Sequence, residues 1–163
     1  MYKILILVCL TACGGPMTPE ERGIKVSDRI GVFNQSKVLF VTQLAVEDAY
    51  DVKLGDMHTD AVVYWTDTRC PKNGLSMVIH DGRCLYGVMW SLEEMYVAES
   101  NIDPDKTCGS SLVHEFGHAL HGAVFGDFNG AHDHLEFWGG ERDGKHVTGV
   151  LEAPARLACE RGW

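Results

Sequence analysis

The run Val113-His114-Glu115-Phe116-Gly117-His118-Ala119-Leu120-His121-Gly122 reads H-E-x-x-H within an apolar stretch of helical periodicity. At ~100° per residue, the imidazoles of His114 and His118 lie ~40° apart around the axis and one turn apart along it. Both can therefore reach one metal ion. Imidazole suits Zn²⁺, and a catalytic zinc site takes three protein ligands while keeping one position for water. Glu115 stands ~100° round from His114, where a carboxylate can accept a proton beside the metal without ligating it. Gly117 gives up ~1 kcal/mol of helix propensity relative to Ala, a loss that makes sense if another element packs closely there.

A third ligand must come from outside that pair. His121 shares the helix face but lies ~10 Å along the axis from His114, which would strain three ligands on one straight helix. The segment from Gly126 to Glu136 is better placed, because a glycine stop lets the chain turn back toward the metal. His132 is the preferred third ligand, with His134, Glu136, His121 and Asp127 as alternatives. Asp127 or Asp133 is placed to orient a ligand imidazole. Metal, triad and carboxylate together would suit a hydrolysis by metal-activated water, Glu115 acting as general base. Tyr96 and His134 are the candidates for a donor to the oxyanion. His58, His80 and His146 stand alone and read as surface or structural residues, and Phe137-Trp138 reads as core under the ligand loop.

The elements that must position these groups follow from pattern and punctuation. Apolar residues from Val38 to Val52 recur at helical spacing, predicting a helix from Ser36 to about Lys53 with Gly55 ending it. Strands are predicted over 61–65, 75–80, 84–90 and 95–98, with Asp81-Gly82 as a hairpin turn. The H-E-x-x-H helix should run from Ser110 or Ser111 to Phe125, with Gly126 closing it. Residues 130–149 read mostly as loop, and Pro154 begins a short helix over 155–160. The fold class expected is α+β, with a small, twisted, mostly antiparallel sheet packed on the metal helix and a helix at each end.

The chain has 163 residues, a net charge of −9 and six cysteines. The acidic balance argues against nucleic acid as a partner. Residues 1–12 have a short basic start and an apolar run too short to span a bilayer, which is a secretory signal pattern. Leu10-Thr11-Ala12-Cys13 resembles the lipobox of bacterial lipoproteins, which implies that Cys13 is acylated and begins the mature chain; the alternative is plain cleavage near Ala12 and a secreted protein. Gly14 rather than Asp at the next position then favours the outer membrane over the inner. Residues 13–23 read as a flexible tether, and 24–163 as one domain, expected to be monomeric and to meet the membrane only through its lipid. With Cys9 removed and Cys13 lipidated, four cysteines remain in an oxidising compartment. The preferred disulfides are Cys70–Cys84 and Cys108–Cys159.

The order of helix, small sheet, H-E-x-x-H helix, loop and final helix resembles the zincin metallopeptidases in their compact form. The resemblance implies zinc as cofactor, His114 and His118 as ligands, Glu115 as catalytic base, and a peptide or protein substrate lying along an edge strand. The longer metzincin motif is broken, since His121 stands where it has Gly and Val124 where it has His. The downstream Glu of thermolysin-like enzymes would fall between Glu136 and Glu141 without matching either. The other class to weigh is a non-catalytic envelope lipoprotein in which four protein ligands close a structural zinc.

Overall fold

The computed structural model describes residues 35–68, 70–72, 78–80, 83–98, 110–127 and 132–161. The signal pattern, Cys13, the tether, the 81–82 turn and Cys108 lie outside them. Helix α1 (Gln35–Tyr50) buries Val38, Leu39, Thr42, Gln43 and Val46, a stripe recurring every turn. It stops three residues before the expected end. Asp51 turns left-handed at φ 50°, and side chains of α1 then capture the following backbone. Glu47 accepts the N–H of Leu54 at 2.8 Å, and Gln43 bonds both the Gly55 carbonyl at 2.7 Å and the His58 N–H at 2.8 Å. The one-turn helix α2 (Met57–Asp60) follows.

Strands β1 (Val62–Thr66), β2 (Val78–His80), β3 (Arg83–Leu85), β4 (Gly87–Met89) and β5 (Glu94–Ala98) then divide between two sheets. Expected as one strand, 84–90 is broken at Tyr86. Its first half pairs antiparallel with β2, and its second half joins a three-stranded sheet of order β1-β5-β4. Central β5 runs parallel to β1 and antiparallel to β4. Alternation along β5 sends Met95 and Val97 into the core and Tyr96 to the opposite face. There the rings of Tyr96 and Tyr64 stack at 5.2 Å. Cys70 and Cys84 form the expected disulfide. Cys159 is disulfide-bonded as well, with its expected partner Cys108 among the undescribed residues.

Helix α3 (Ser110–Phe125) packs against α1, β4 and β5 and supplies Leu112, Val113, Phe116, Ala119 and Leu120 to the core. Gly126 ends it as expected, at φ 75° with its N–H on the Gly122 carbonyl. The result is an α+β fold with a small, mostly antiparallel set of strands and flanking helices. The expected loop at 130–149 holds more structure than its composition implied. Helix α4 (Leu135–Trp138) leads into the hairpin β6 (Gly140–Arg142) and β7 (Lys145–Val147). Positive φ at both Asp143 and Gly144 gives that hairpin the primed type of two-residue turn. The last helix, α5 (Glu152–Arg161), begins earlier than expected, with Pro154 in its first turn.

The segment from β7 to α5 lies directly on α4. Val150 and Leu151 donate to the carbonyls of Glu136 and Phe137 at 3.1 and 3.2 Å. A Cβ on Gly149 would stand 2.0 Å from the Gly139 nitrogen and 2.4 Å from the Trp138 carbonyl carbon. Backbone cannot yield there as a side-chain tip would. Gly149→Ala is expected to cost about 1–3 kcal/mol in urea unfolding, the usual scale of overpacking.

Candidate metal centre

Burial of the apolar faces of α3 fixes the rotation of the helix and sets His114 and His118 together at the protein's edge. Their rings stand 5.0 Å apart at nearly right angles. His132, from the segment between α3 and α4, brings its ring to 4.9 Å from His114 and 5.1 Å from His118. One ligand atom from each residue lies within 4.8 Å of the others, and His132 is the exposed member. This cluster is able to hold a metal ion.

Trp138 forms the floor. Its ring lies 5.2, 4.7 and 4.7 Å from the rings of His114, His118 and His132. Gly117 makes that approach possible, because a Cβ there would stand 2.4 Å from Leu151 Cδ1 and 3.1 Å from Trp138 Cζ3. Absence of a side chain in mid-helix thus has a packing cause. The motif alone could not reveal Trp138 as the floor of the site, since it belongs to a different helix.

Burial sets the proton chemistry. Removal from water lowers His114 and His118 to about 4, with the neighbouring imidazoles adding a smaller push in the same direction. Neutral imidazole is the form that binds metals. Glu115, only 6% exposed, is raised by burial to about 7, opposed by a backbone hydrogen bond from Met89. The carboxylate lies directly beneath β4. A Cβ on Gly87 would fall 2.5 Å from Glu115 Cγ and 2.6 Å from its Oε1. Sequence reasoning missed Gly87, whose only signal was a glycine inside a strand pattern.

The other candidate residues stand elsewhere. His121 and His134 bond each other, Nε2 to Nδ1, at 3.2 Å. Glu136 is exposed and paired with Arg142 at 2.9 Å, which holds its carboxyl below the ordinary value. Asp127 offers its backbone carbonyl to His121 Nδ1 at 3.0 Å. Nδ1 of His118 is buried without a hydrogen-bond partner among the described residues, so none of their carboxylates orients it there. Tyr96 donates its hydroxyl proton to Glu94, on the far face of the sheet. His58 is bound to Gln43 and His146 to Glu152, in structural roles as expected, while the side chain of His80 is outside the described residues.

No family model matches the chain, and no curated protein or solved structure matches it either.

The two depressed histidines give a pH test. In metal-free protein, NMR of the imidazole Cε1–H resonances should show His114 and His118 neutral at pH 5 and titrating near pH 4. Their unfolded value is ~6.5, so the unfolded chain takes up protons first. Their contribution to stability is whole above ~6.5 and declines as pH falls toward 4. The raised Glu115 works oppositely, losing stability as pH rises from its ordinary value toward about 7. With two imidazoles against one carboxyl, the net change on acidification should be a loss.

Proposed function

We propose that this domain is a zinc-dependent endopeptidase of the zincin type, tethered to the bacterial envelope through Cys13. The observation that carries the reading is the pairing of three convergent imidazoles with a buried carboxyl, Glu115, which follows the first of them on α3 and lies under an outer strand of the sheet. His114, His118 and His132 would hold the ion, an all-nitrogen set of the kind zinc favours. Bound zinc would supply Lewis-acid polarisation of water and of the scissile carbonyl.

The remaining work falls to the chain. Glu115, with a proton affinity near neutrality, suits a group that takes a proton from the attacking water and returns it to the leaving amine. Among the described residues β4 is an outer strand of its sheet, and an extended peptide can pair with such an edge. Paired there, its backbone would run alongside Gly87, next to the strand that covers Glu115. Among the described residues the cluster offers three ligands and no fourth His, Cys, Asp or Glu joins it, which supports an open site over a closed structural one.

Glu115→Gln is the direct test. It should bind zinc stoichiometrically by elemental analysis yet cleave a fluorogenic peptide library at least about a hundredfold more slowly. Hydrolysis near the parent rate would overturn the role given to Glu115. Chelation should abolish cleavage in the parent protein, with recovery on adding zinc back. Gly87→Ala separates the strand from the metal: its methyl would push the Glu115 carboxylate aside, so kcat should fall while zinc affinity stays at the parent value.

A further inference from the structure

Two of the three imidazoles need no special device, because α3 carries both and the core holds α3. His132 has no such support. It is exposed, and it precedes α4 in a segment that must be brought back onto the helix. What holds this segment is found two residues on. His134 points its Nδ1 at His121 Nε2, 3.2 Å away, and His121 lies on α3 one turn beyond His118.

His121 is 5% exposed, and both its ring nitrogens are used. The Asp127 carbonyl can only accept, so His121 carries a proton on Nδ1 and, as a neutral imidazole, presents a lone pair on Nε2. His134 must then be the donor to it. Aromatic rings enclose the pair. Phe125 and Phe137 stand 4.6 and 4.9 Å from the ring of His121, and Phe125 is 4.6 Å from that of His134. An apolar side chain would fill the His121 position without any polar group to satisfy. What imidazole adds is direction: one bond to the end of α3 and one to the segment that carries His132.

We infer that His121 is a positioning residue, whose hydrogen bond to His134 latches the His132 segment onto α3 and so delivers the third ligand to the metal. This rests on the reading of His114, His118 and His132 as a zinc site. His134 also begins α4, its carbonyl accepting the N–H groups of Phe137 and Trp138 at 3.0 Å. The latch therefore sets the ligand and the aromatic floor together.

The test is a double-mutant cycle on zinc affinity, measured by chelator competition in the full chain. His121→Phe keeps a ring in the aromatic box and removes both hydrogen bonds. It should weaken zinc about ten- to a hundredfold, the usual effect of losing a group that orients a ligand. His121→Gln, whose amide oxygen can still accept from His134, should recover part of the loss. In a His132→Ala background, His121→Phe should cost no further affinity. Thermal melting of each metal-free variant checks that the fold survives. If His121→Phe melts like the parent and binds zinc equally well, the latch is overturned. An equal loss with His132 present or absent also overturns it, since His121 would then be acting elsewhere. If the parent binds no zinc, or His132→Ala leaves affinity unchanged, it is the ligand assignment itself that fails.

Discussion

Withdrawal of a few polar side chains from water is the constraint on which this structure turns. Helix α3 must bury Leu112, Val113, Phe116, Ala119 and Leu120, and a helix so committed has no freedom to rotate. His114, Glu115 and His118 are carried partly inside with it. Burial keeps the two imidazoles neutral and makes the carboxyl hold its proton to higher pH. The same packing that stabilises the helix thus keeps nitrogen lone pairs available to a cation and leaves a titratable carboxyl on the same helix.

How much of this could be read beforehand varied with the range of the interaction. Helical spacing within the motif sufficed to set His114 beside His118, and the glycine stop at 126 sufficed to predict that the chain would return. The extent of α3 and the Cys70–Cys84 link were likewise legible from local signals. Tertiary pairing was not. Residues 84–90 look like one β-rich run, yet Tyr86 divides them between two sheets, and nothing in their alternation marks the step. The early end of α1 depends on Glu47 and Gln43 reaching beyond the helix, which propensity does not register. At Asp143-Gly144 the hairpin signal was present, but the Gly- and His-rich surroundings masked it.

The site shows the same division. A motif on one helix announces its own pair of imidazoles, whereas the groups that join them come from separate places in the chain. Trp138 and Leu151 meet Gly117 only after α4 and the segment following β7 have folded back. His121 looked like a competitor for the metal because it shares the face of His114. In three dimensions it turns to Asp127 and His134 instead. A shared face establishes proximity, and the partner that claims each nitrogen then decides its role.

Gly87 has one consequence that reaches beyond its neighbours. With no side chain between strand and carboxylate, β4 and Glu115 occupy adjoining van der Waals space. The sheet margin thereby covers the Glu115 carboxyl, which is only 6% exposed. Anything that seats itself along this margin will deepen the enclosure, so occupancy of the strand and the proton affinity of Glu115 are thermodynamically linked.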